Sequence, residues 1–120
     1  MTLAFHAKVV SCADATGGEI LQVSFDTMPT RQDESERSTP YVLISRNFEF
    51  PDPASIEWYD GRDYDGAAEV ISMTLRRNRV SIALDRELDV DVTFRLGDKQ
   101  FAKLTSFLRR MIEDRVRFSE

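Results

Sequence analysis

Between Leu88 and Leu96 every second residue is apolar: Leu88, Val90, Val92, Phe94 and Leu96 alternate with Asp89, Asp91, Thr93 and Arg95. Successive side chains of a strand point to opposite faces, so this spacing gives a strand with one dry and one wet face. After Gly97 the spacing lengthens to that of a helix. Phe101, Leu104, Leu108, Met111 and Ile112 line one stripe, Phe107 lies beside it, and Asp98 stands where an N-cap is expected. A half-buried sheet followed by a one-sided helix is stable only if the two apolar surfaces meet.

The same period of two places Leu3, Phe5, Ala7 and Val9 inward with His6 and Lys8 outward, and Leu21, Val23 and Phe25 inward with Gln22, Ser24 and Asp26 outward. A turn at Gly17-Gly18 joins these runs as a hairpin. Tyr41 to Phe50 is apolar on both faces through Val42, Leu43 and Ile44, as in an interior strand, and Pro51-Asp52-Pro53 ends it. Short strands follow around Ile56 and Trp58, around Ile71, Met73 and Leu75, and around Val80, Ile82 and Leu84, with Arg77-Asn78 turning between the last two. The fold class expected is α+β, a mostly antiparallel sheet of about seven strands with one C-terminal helix packed on it. Residues 1–120 read as a single domain, with 27–40 a mobile acidic loop and 113–120 a fraying tail.

The 120 residues suffice for one unaided core, and 42% apolar with 31% charged content is that of a folding chain. Cys12 is the only cysteine, so no intramolecular disulfide or cysteine-based metal motif is available, and a reducing, cytoplasmic setting is expected. The N-terminal residues lack the basic-then-apolar pattern of a signal peptide and no run of about 20 apolar residues is present, so neither export nor membrane association is expected. Net charge is −5. It is unevenly spread: residues 1–65 carry twelve acids against five bases, and residues 66–120 nine acids against eleven bases. An acidic surface disfavours direct nucleic-acid binding and favours a basic protein partner.

Acids and rings concentrate between Pro51 and Gly66: Asp52, Glu57, Asp60, Asp63 and Asp65 surround Trp58, Tyr59 and Tyr64, with Arg62 the one opposing charge. Aromatic anchors ringed by charge have the composition of an interface hot spot, so these eight residues are the expected partner-binding set. An equally open reading makes Trp58 core, since it shares a strand face with Ile56, and the acids a solvated loop. Calcium is not expected. Aligning Asp63, Asp65 and Gly66 with loop positions three, five and six of an EF-hand puts Gly61 at the first ligand and Ser72 at the bidentate glutamate.

No Gly-x-Ser-x-Gly, phosphate-cradling glycine loop or His-Glu-x-x-His occurs, so no enzyme activity, catalytic residue, metal or cofactor is expected. His6 reads as a surface residue and Cys12 as a small packed or exposed thiol. An enzymatic or small-ligand pocket between sheet and helix would need convergent polar groups such as Arg46 with Glu49. Arg76, Arg77 and Arg79, with Arg109, Arg110, Arg115 and Arg117, form either a solvated face or a phosphate-binding patch. A homodimer through an edge strand or through Asp89, Asp91, Thr93 and Arg95 is a third possibility.

From Tyr41 to Ile112 the order of features resembles the tenth immunity-protein family of bacterial polymorphic toxin systems. The residues that carry it are Tyr41-Val42-Leu43-Ile44, Phe48-Glu49-Phe50, Ile56-Glu57-Trp58 with Asp60, and the turn at Gly66. After them come Val70 to Leu75, Arg77-Asn78-Arg79, Val80 to Leu84, Val90 to Leu96 and the helix with Phe101, Leu104 and Leu108. The resemblance implies an immunity protein that binds and neutralises a cognate toxin domain. Nuclease toxins are usually basic, so an acidic inhibitor associates quickly with such a cleft.

Overall fold

The computed structural model describes residues 2–27, 40–50, 54–59, 65–85, 88–112 and 116–118. These form an α+β fold of nine strands and one helix: β1 Thr2–His6, β2 Val9–Ala15, β3 Ile20–Asp26, β4 Tyr41–Asn47, β5 Ser55–Tyr59, β6 Asp65–Arg76, β7 Arg79–Leu84, β8 Asp89–Thr93, α1 Asp98–Ile112 and β9 Val116–Phe118. Spatial order is β1-β8-β7-β6-β5-β4-β3-β2, with β9 also on β6. Pairing is antiparallel except for β1 with β8 and β6 with β9.

The two ends of that order, β1 and β2, are consecutive in the chain. The Ala7 N–H donates to the Thr93 carbonyl at 2.8 Å and the Lys8 N–H to the Asp26 carbonyl at 2.8 Å, so the chain passes from one sheet to the other within two residues. The sheet is therefore curled until its ends meet, with a corner at Ala7, which is buried. The expected hairpin is corrected accordingly: Val9–Ala15, not Leu3 to Ala7, pairs with β3, and Leu3 to Ala7 runs parallel to β8. The connecting turn, Thr16–Gly18, has Gly17 at φ 66° and Gly18 at φ 95°, backbone that a side chain rarely adopts.

The long strand β6 belongs to both sheets. Its first five residues pair with β5 and the rest with β7, and a bulge lies between Val70 and Ser72. The extra residue resets the alternation, so Val70 turns inward and Ile71, expected inward, is 52% exposed. β4 also ends earlier than expected. The Asn47 side-chain oxygen accepts from the Glu49 N–H and its carbonyl accepts from the Phe50 N–H, a turn that leaves Phe48 and Phe50 at 38% and 56% exposure. At the foot of the long loop, the Thr27 hydroxyl donates to the Pro40 carbonyl at 3.0 Å; residues 28–39 lie outside the described residues.

One core fills the curl. Phe25 of one sheet stacks on Phe94 of the other, with ring centroids 6.0 Å apart, and Leu104, Leu108, Met111 and Ile112 close the inner side of β2 and β3. The Phe101 N–H donates to the Gly97 carbonyl and the Gly97 N–H to the Gln100 side chain, so Gly97 holds the N-cap position expected of Asp98, which begins the helix. At the other end Arg46 Nη1 donates to the Met111 carbonyl at 2.7 Å. Within the stretch expected to fray, Val116–Phe118 form β9 beside Met73–Leu75. No helix among the described residues is long and apolar enough to cross a membrane.

Candidate functional site

With α1 on the inner side, the outer face of β2 to β6 carries three rows that the strand registers fix. These are Val9, Asp26, Tyr41, Tyr59 and Asp65; then Ser11, Ser24, Leu43, Glu57 and Ala67; then Ala13, Gln22, Ser45, Ser55 and Glu69. No lysine or arginine stands in any of them. The side chains are short except along the middle, where the rings of Tyr41 and Tyr59 lie 6.1 Å apart at 44° next to Leu43. Glu57 and Glu69 are exposed, whereas Asp26 is 7% exposed. The result is a weakly apolar platform with carboxylates toward its β5–β6 side.

The pleat divides the expected partner-binding segment. Glu57 is exposed and Tyr59 half-buried on the outer face, and Asp65 stands opposite Tyr59 in register. Trp58 is 1% exposed and lies in the core with Ile56, so its assignment as a contact residue is corrected: it is the internal anchor of β5. Its ring lies flat against Gly66, the residue opposite; a Cβ there would meet Trp58 Cζ2 at 2.7 Å. Only glycine admits the indole. Asp52, Asp60, Asp63 and Tyr64 lie outside the described residues.

Tyr41, Leu43 and Glu69 were not among the expected contacts. Apolar residues on both faces of Tyr41 to Ile44 suggest burial on both sides, but Leu43 and Tyr41 point to the outer face, away from the helix. Nothing within the strand itself separates the two cases, because the neighbours of Leu43, Ser24 and Glu57, are set by the register.

The other candidate groups take these places. The Arg46 guanidinium holds the helix end and lies 4.7 Å from the centre of the Phe48 ring, while the Glu49 carboxyl hydrogen-bonds that of Glu19 and, with their mutual repulsion, pushes the Glu19 pKa up. Cys12 sits on the inner side of β2 against the core, and burial raises its thiol pKa despite the opposing charge of Lys103. Of the arginines expected together, Arg117 stands opposite Thr74 of β6 and Arg115 lies outside the described residues, while two other groups lie apart. Arg77 and Arg79 stand at the β6–β7 hairpin, where α1 begins, whereas Arg110 lies beside Gly18, about 18 Å further along the helix axis.

No protein-family model, no curated protein and no solved structure matches the chain.

Proposed function

We propose that the chain is a protein-binding module of the immunity type, which neutralises a basic toxin domain by docking it on the outer face of β2 to β6. One observation carries this reading: a five-strand face with Tyr41, Leu43 and Tyr59 on its strands β4 and β5, Glu57 opposite Leu43, Glu69 on β6 and no basic residue in its registers. Tyrosine and leucine provide contact area at low entropy cost, and the acids steer a cationic partner into place. The same charge argues against self-association through this face, because two copies would set the acids of the described registers against one another.

Five strands spaced about 4.8 Å apart, each contributing about six residues, cover roughly 24 by 20 Å, or about 480 Å². A standard interface takes about 800 Å² from each partner. The proposal therefore assigns the remainder to residues adjoining the face in sequence, Asp52, Asp60, Asp63 and Tyr64. The resemblance to the immunity family supports the choice of partner class, and the cationic clefts of nucleases fit the sign of the charge.

The decisive variant is Glu57→Lys combined with Glu69→Lys, exposed changes that leave the core intact. Binding to the toxin domain encoded beside this chain should weaken at least tenfold, chiefly through a slower association rate, and growth protection should fail. Wild-type association should slow as salt rises, with much less salt dependence in the variant. Full protection by the double variant would reject this face as the interface, and the absence of any neighbouring toxin gene would remove the immunity reading itself.

A further inference from the structure

In a chain of net charge −5, the end of the β1-β8-β7 sheet holds a concentration of the opposite sign. An open depression of about 590 Å³ is lined by His6, Arg77, Asn78, Arg79, Thr93, Phe94, Arg95 and Leu96. Among the described residues this lining includes three arginines and no acid. The arrangement follows from the register. His6, Thr93 and Arg79 are neighbours across β1, β8 and β7, and Arg95, two residues beyond Thr93, projects to the same side while Phe94 turns into the core. The hairpin turn adds Arg77.

Two of the guanidiniums are held in place from behind. Arg79 bonds Asp91 through both Nε and Nη2, and Arg77 Nη2 bonds the Leu96 carbonyl at 2.8 Å and Asp98 at 3.0 Å, with its guanidinium 4.7 Å from the centre of the Phe101 ring. A guanidinium has five N–H donors in a rigid fork, so these contacts orient the groups and leave donors for a ligand. The Thr93 hydroxyl and His6 Nδ1, 2.9 Å apart, add further polar groups to the same wall.

We infer that this depression is a binding site for a phosphate monoester group. Donors arriving from three strands and a hairpin suit a tetrahedral oxyanion better than a planar carboxylate, which one fork satisfies. A monoester presents three unsubstituted oxygens to the three guanidiniums, where a phosphodiester presents two, and a concave wall concentrates their field. The volume falls within the usual range of small-ligand sites. This inference is independent of the docking face, which lies on the other sheet.

The test is a titration of the isotopically labelled protein by nuclear magnetic resonance at constant ionic strength. The probes are inorganic phosphate, a nucleoside monophosphate and an oligothymidylate, with sodium chloride as control. Saturable shifts are expected at Asn78, Thr93, Arg95 and Leu96 with phosphate and the monophosphate. Arg95→Ala, at an exposed position, should weaken both about tenfold with the rest of the spectrum unchanged. Arg109→Ala with Arg110→Ala should leave both untouched. Shifts that follow chloride equally, or that survive Arg95→Ala and Arg79→Gln, would overturn the site. Tighter binding of the oligothymidylate than of the monophosphate would overturn the choice of a monoester.

Discussion

The two sheets share one core, yet their outer faces treat charge in opposite ways. On the β1-β8-β7 side an acid and a base meet across strands: Arg79 grips Asp91, and one row beyond, the arginines gather at the rim. On the β2-to-β6 side the registers contain acids and no base. Charges that answer one another within the fold contribute to its stability, and their removal is felt there. Exposed acids with no base in the same registers add little to folding, and their charge acts mainly on what approaches the face. Substitutions on the first face should thus register in stability, and those on the second in association.

The largest effect is expected beneath the acidic face rather than on it. Trp58→Ala removes the largest fully buried side chain, under the platform that Glu57 and Tyr59 present. A loss of about 3–5 kcal/mol is expected in chemical denaturation. Retained stability in this variant would mean that β5 is not anchored by its indole, and the division of the strand into a structural and a docking face would fail with it. Gly66→Ala comes next. The new methyl would enter the Trp58 ring at 2.7 Å, and overpacking of this kind costs about 1–3 kcal/mol. Combining it with Trp58→Ala should be less than additive, because the added methyl then has room; simple additivity would place the strain elsewhere.

How far the sequence reveals this architecture depends on how local the signal is. The alternation from Leu88 to Phe94 and the stripe of Leu104, Leu108 and Met111 are statements about neighbours on one element, and both appear in the fold as read. The destination of Leu3 to Ala7 is different. Nothing within those residues says that they pair with β8, more than 80 positions away, rather than with β3; that follows from the curl of the whole sheet. The bulge at Ile71 and the turn at Asn47 are likewise set by where β6 changes partners and by one side-chain hydrogen bond, and they reverse or end a pattern that period alone would continue. For the candidate site, the sequence locates the acids and rings of 52–65 but not which of two alternating faces each would take. The burial of Trp58 is set by a core assembled from all the strands and the helix, which no single segment reveals. Arg77 and Arg79 are legible as a basic hairpin, but their convergence with Arg95 and His6 is not, since it needs three strands in register.

On the face where charges answer one another the expected effect is small and has a sign that pH can reveal. The hydrogen bonds from Arg79, and then its charge, hold the Asp91 carboxyl below the usual carboxylate range, against the opposing effect of partial burial. A depressed folded-state pKa contributes stability above the unfolded value and loses it as the pH falls through the folded one. Asp91→Asn should therefore be less stable than wild type near pH 7, by less than about 1 kcal/mol because the pair is partly solvated, and the difference should shrink toward zero as the solution is brought below the ordinary aspartate range. Denaturant unfolding of both proteins at the two pH values measures it. Added salt should narrow the same gap at neutral pH, since the pair is open to screening. On the acidic face, salt should instead leave folding nearly unchanged and slow the arrival of a cationic partner. A protein in which Asp91→Asn altered partner association as strongly as Glu57→Lys would not have the two-sided organisation of charge that its strand registers indicate.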